Sequence, residues 1–169
     1  MKLNINLRKL TTLAMAAMLT LGLGLAQQSM PGMPDPGQAQ RERQIMPFSL
    51  EATLHTFTNA VNGGTETVTV KNPKDSKNLA LIRKHLQKEA IKFGRGDFSD
   101  PAFIHGKDMP GLAQVQAGTK SGRIKIGYTR LKTGAQLRYI TKDAALIKAL
   151  HTWFAAQMMD HGSHAKMGR

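Results

Sequence analysis

The longest run of helical periodicity extends from Thr141 to Gly162. At about 100° per residue, Ile147, Leu150, His151, Phe154, Met158 and His161 fall on one stripe, with Lys142, Lys148, Thr152 and Asp160 on its flanks or opposite it. Two imidazoles and a thioether therefore stand where a packed helix carries hydrophobes. A continuous helix rises about 1.5 Å per residue, which sets His151 and His161 roughly 15 Å apart and prevents them from sharing one ion.

Upstream, the pattern between Leu50 and Lys71 alternates in the manner of strands, and Asn62-Gly63-Gly64 reads as the turn of a β-hairpin. His55 lies opposite Leu54 on the first strand, and alternation alone leaves open which face meets the core. A helix follows from Pro73 and Asp75 or Ser76 to about Phe93, with Leu79, Ile82, Leu86, Ala90 and Phe93 as its apolar stripe and His85 at the boundary. The connection from Gly94 to Gly122 is long enough to carry short helices, one capped by Asp100-Pro101 and ending at Gly106, another opening near Asp108. Two more strands, Arg123 to Arg130 and Ala135 to Thr141, present an apolar face and a basic one. The order ββ-α-loop-ββ-α predicts an α+β domain over residues 49–162, a four-stranded antiparallel sheet with two helices on one face, followed by a C-terminal tail over 163–169.

The first residues follow a different logic. Lys2, Arg8 and Lys9 precede an apolar run from Leu10 to Leu23, and Gly24-Leu25-Ala26 supplies small residues for cleavage, so residues 1–26 read as a signal peptide and the mature protein as periplasmic or secreted. No later apolar run approaches the ~20 residues of a membrane span. Residues 27–48 are rich in Gln, Pro, Gly and Met, lack periodicity and read as a flexible linker carrying Met30, Met33 and Met46.

The 169 residues carry 24 Lys and Arg against 11 Asp and Glu, a formal net charge of +13. This excess suits contact with anionic envelope polymers, which defines one functional reading: a basic envelope-associated module that binds polyanions without metal. Few aromatics, scattered basic residues and an export signal argue against specific nucleic-acid recognition.

There is no cysteine, whereas there are six histidines and ten methionines. In an oxidising compartment methionine remains a ligand where a thiol would be lost, and imidazole with thioether favours copper, with zinc the nearest competitor. An ion site needs donors converging from separate elements. His55 from a strand, His105 and Met109 from the long loop, and His151 from the last helix form the leading candidate set, with Trp153 or Phe154 as apolar shell. A second candidate cluster comprises Met158, His161 and His164. No H-E-x-x-H, C-x-x-C-H, phosphate loop or nucleophile elbow is present, so zinc protease, c-type haem, nucleotide and serine-hydrolase readings lack their signatures. An acid–base role for His105 and Asp108 is a third, weaker alternative.

His105-Gly-Lys-Asp-Met-Pro-Gly-Leu112, with Gly96-Asp-Phe-Ser-Asp-Pro101 before it and His151-Thr-Trp-Phe and Asp160-His-Gly162 after it, resembles a family of small exported bacterial proteins for which no activity is established. The likeness covers about Leu54 to Gly162. Some members carry the name aspartate carbamoyltransferase, which this sequence does not support: it is too short for that enzyme's paired α/β domains and lacks its Ser-Thr-Arg-Thr motif. The resemblance implies histidines placed like His55, His85, His105, His151 and His161. The leading expectation is an exported metal-binding protein, for copper before zinc, that sequesters or transfers the ion.

Overall fold

Threonine and valine alternation after Leu50 produces the expected hairpin, and the rest of the sheet is built outward from it. The computed structural model describes residues 37–169; the segment read as a signal peptide and the methionines at 30 and 33 lie outside them. Strands β1 (Thr53–Ala60) and β2 (Gly63–Val70) pair antiparallel from Thr53 opposite Val70 to Ala60 opposite Gly63. The turn is Val61-Asn62, one residue earlier than the sequence pattern indicates, and the residue with positive φ is Gly63 at 132°.

Helix α2 (Ser76–Gly94) starts at Asp75, whose side chain accepts from the backbone N–H of Asn78. Two short helices, α3 (Ser99–His105) and α4 (Leu112–Lys120), fill the long connection. Strands β3 (Lys125–Arg130) and β4 (Gly134–Ile140) extend the sheet through antiparallel pairing of β4 with β2. Helix α5 (Ala144–His161) begins at Asp143, which caps the N–H groups of Ala145 and Leu146.

Two features correct the expected plan. The sheet has five strands in the order β3-β4-β2-β1-β5 and is mixed, because the presumed tail forms a 3₁₀ turn (Gly162–His164) and β5 (Ala165–Met167), parallel to β1. The segment read as linker contains α1 (Gln38–Ile45). That helix is polar nearly throughout and has no apolar stripe to betray it; it is held through specific bonds, Gln38 Nε2 to Asp160 O at 2.9 Å and Arg41 Nε to Ile104 O at 2.9 Å.

Alternation assigns the faces. Thr53, His55 and Phe57 turn inward with Val68, Val70, Ala135, Leu137 and Tyr139, and on this face α2 and α5 pack. Trp153 and Phe154 are fully buried there, Phe154 5.3 Å from Phe57 and Trp153 5.9 Å from Tyr139 between ring centroids. The outward face is a lattice of threonines, Thr56, Thr58, Thr65, Thr67 and Thr69, with basic residues only thinly placed at Lys125, Arg138 and Lys166. Among the described residues no helix is long and apolar enough to cross a membrane.

Gly111 is the αL residue before α4, and a Cβ there would run into the Ala149 carbonyl on α5. Gly94, at the end of α2, faces open space. Chemical denaturation is expected to show Gly111→Ala losing about 2 kcal/mol or more of stability, and Gly94→Ala unchanged or gaining up to about 0.5 kcal/mol.

Candidate metal centre

Three histidines stand at the inner or terminal positions of three elements. His55 lies on the inner face of β1 and is 2 % exposed; His105 is the last residue of α3 before Gly106, whose φ is 93°; His161 is the last residue of α5 before Gly162. The positive-φ glycines let the chain leave both helices at once. The His55 and His161 rings lie nearly parallel with centroids 4.8 Å apart, and His105 meets His161 edge-on, also at 4.8 Å. Two imidazoles sharing an ion bond it at about 2.0 Å, which sets their centroids about 5 Å apart.

One of the three rings has a nitrogen in a side-chain hydrogen bond. His105 Nδ1 is 3.1 Å from Asp160 Oδ2, and His161 Nδ1 is 3.1 Å from Glu42 Oε1 in a bent contact. His55 Nδ1 is buried without a partner. A carboxylate on the remote nitrogen is the arrangement that orients a ligating imidazole and raises its basicity. Among the described residues, no group of three or more His, Asp or Glu side chains is placed to hold a metal ion.

His55, His105 and His161 line a cavity of about 40 Å³, with His85 and Met46 also on its wall. That volume suits an ion or a water rather than an organic substrate. Opposite the imidazoles the wall carries Glu66, Glu89 and Asp100. Burial raises the Glu66 carboxyl despite a 3.2 Å bond from Tyr139 Oη. Burial also pushes Glu89 up to about 8, assisted by its hydrogen bond with Asp100, while its Oε1 has no partner. Asp100 titrates below its usual value: burial opposes this, but Lys92 Nζ at 2.6 Å and Glu89 outweigh it. Glu42 is likewise lowered, because bonds with His161 and Gln38 overcome its burial.

Loss of hydration brings His55 well below its ordinary value, with neighbouring His161, His85 and His105 adding to the effect. Burial lowers His105 despite Asp160, and lowers His85 to about 4. At neutral pH these three rings are therefore in the unprotonated form that ligates metal.

The sequence-derived donors divide. His55, whose face alternation left open, is buried, and His161 lies between it and His105. His151 stands apart: its Nε2 lies 2.8 Å from the Gly63 carbonyl and 3.2 Å from that of Ala60, fastening α5 to the hairpin end. Met109 is 7 % exposed in the apolar core and does not border the cavity. Of the second cluster, Met158 packs against the core, His161 joins the cavity, and the His164 Nδ1 is buried without a partner.

Several cavity residues escaped the sequence reading. Glu89 falls on the buried stripe Ile82, Leu86, Glu89, Phe93, where a carboxylate is anomalous, and Glu66 shares the inward alternation of Val68 and Val70. Both were detectable by those signals. Glu42 and Asp160 carry no comparable mark.

Glu89 gives a pH signature. An unfolded glutamate loses its proton near 4.5 and Glu89 near 8, so the native state holds the extra proton between those values and stability falls as pH rises through them. His85 works oppositely, withdrawing stability as pH falls from 6.5 towards 4. Thermal unfolding is expected to show Glu89→Gln matching wild type near pH 4 and exceeding it by several degrees at pH 8. No family model, curated protein or solved structure matches the chain.

Proposed function

We propose that the chain is an exported metal-binding protein that takes up copper, with zinc as the competing ion, in the cavity between β1, α3 and α5, for sequestration or transfer. The supporting observation is the trio His55, His105 and His161: rings at 4.8 Å spacing, with His105 Nδ1 bonded to Asp160 and His161 Nδ1 3.1 Å from a Glu42 carboxylate oxygen. Met46 is the thioether on the cavity wall and takes the role that the sequence pattern assigned to Met109. A His₃Met donor set suits Cu(I), whereas the imidazoles with a water suit Zn²⁺. The carboxylate wall supplies compensating negative charge once Glu89 gives up its proton. Export and the resemblance to the small exported family remain part of this reading through residues 1–26 and the His105–Leu112 motif.

Titration of the purified, tag-free protein with Cu(I) against a competing chelator, and separately with Zn²⁺, tests the reading. One tight equivalent is expected, weakened at least about 100-fold by His55→Ala, His105→Ala or His161→Ala and about 10- to 100-fold by Asp160→Asn. His151→Ala is expected to leave ion affinity intact while lowering stability by about 1 kcal/mol through the lost bond to the hairpin carbonyls. Uptake of neither ion would end the proposal.

A further inference from the structure

Helix α2 turns Ile82, Leu86, Glu89 and Phe93 towards the sheet and leaves a row of cations outward. At about 100° per residue, Lys77, Lys84, Lys88 and the C-cap Arg95 fall within about 40° of one another around the helix, and at about 1.5 Å per residue they span about 27 Å. All four are exposed, and among the described residues none of them forms an ion pair. No exposed position of α2 is acidic: its one carboxylate, Glu89, is buried, and the lysine that has an anionic partner is Lys92, paired with Asp100. Lys84 and Lys88 stand four apart, where like charges repel, and the helix has no exposed carboxylate to offset that repulsion. Beyond Arg95 the row continues to Lys120 across a depression of about 420 Å³, whose one carboxylate, Asp97, accepts from the backbone N–H of Ser99. The outer face of the sheet, where alternation placed the basic residues, has cations only at Lys125, Arg138 and Lys166, each on a different strand.

We propose that this row is the docking surface for a linear phosphate polymer, which lies along α2 from Lys77 to Arg95. The fit is one of charge and shape. A single file of cations matches a chain that carries a negative charge at every repeat, whereas a compact anion engages only one or two of them. The exposed positions of α2 offer no aromatic ring on which a base or sugar could stack, so the polymer is held through its charges alone. Lysine suits that role, because its ammonium is a compact point charge on a flexible stem and meets a phosphate without fixing its orientation. Binding releases the counterions condensed on the polymer, which makes the affinity strongly salt-dependent. The row shares no residue with the wall of the histidine cavity, and this interaction does not depend on the metal reading.

The test titrates the purified, tag-free protein, with a chelator present, into fluorescently labelled long-chain inorganic polyphosphate and reads the anisotropy. The double variant Lys84→Gln/Lys88→Gln is expected to bind about tenfold more weakly at low salt and to flatten the logarithmic salt dependence by about 2. Lys142→Gln/Lys148→Gln removes the same charge from exposed positions off α2 and is expected to stay within about twofold of wild type. Lys84→Arg/Lys88→Arg, which keeps the charges, is expected to retain binding to the same degree. Tripolyphosphate, too short to span the row, is expected to compete at least about tenfold less well than the long chain. Equal losses in the two Gln pairs overturn the proposal, since net charge and not the row would then hold the polymer; so does tripolyphosphate competing as well as the long chain. Capture by phosphatidylglycerol vesicles at a salt concentration that keeps polyphosphate off overturns it in favour of a lipid surface. His105→Ala is expected to bind the polymer as wild type does, so failure of the metal reading and failure of this one are separate results.

Discussion

The contact between His55 and His161 governs the polar interior. A strand in the middle of a sheet and the last turn of a helix bring two buried imidazoles to 4.8 Å, and burial of that kind is tolerated only when the remaining polar atoms find partners. Those partners come from elements that would otherwise have little reason to be ordered. Glu42 reaches His161 from α1, and Asp160 reaches His105 at the end of α3. Helix α1 is thus fastened largely by polar bonds around these rings, whereas α2, α4, α5 and the four-stranded core sheet are fastened by apolar area.

That difference explains what the sequence made legible. Elements held by apolar burial advertise themselves by period: the hairpin, α2, the strands β3 and β4 and α5 all lie within a few residues of where alternation or the helical stripe puts them. Elements held by a few polar bonds do not. In α1, Gln38, Arg41 and Glu42 make the attachments while its sequence resembles solvated linker, and β5 contributes three residues, too few for alternation to register.

The same reasoning accounts for the divided fate of the candidate donors. A stripe drawn through Leu150, His151 and Phe154 averages over the buried set Leu146, Leu150, Trp153, Phe154, Gln157 and His161, whose centre is rotated towards Trp153. His151 then falls at the stripe's edge, beside the hairpin turn, and its ring serves as a strut. His161 lies on the true stripe and closes on His55. Met109 occurs in a conspicuous motif, yet its companions Gly111 and Leu112 set a helix against α5, so packing absorbs the thioether. The cavity's carboxylates Glu89 and Glu66 could be sensed only as misfits in apolar patterns, and Glu42, which contacts His161 from outside the cavity, is no such misfit.

The parallel pairing of Ala165 with His55 and of Met167 with Phe57 reaches beyond sheet geometry. Without β5, strand β1 would be a bare edge with unpaired amides, the kind of surface on which chains stack into aggregates. The same three residues lie beside the ring that most needs to stay dry. Protection against self-association and exclusion of solvent from the imidazole pair are therefore one mechanical property of the last strand, and a change that loosens it surrenders both together.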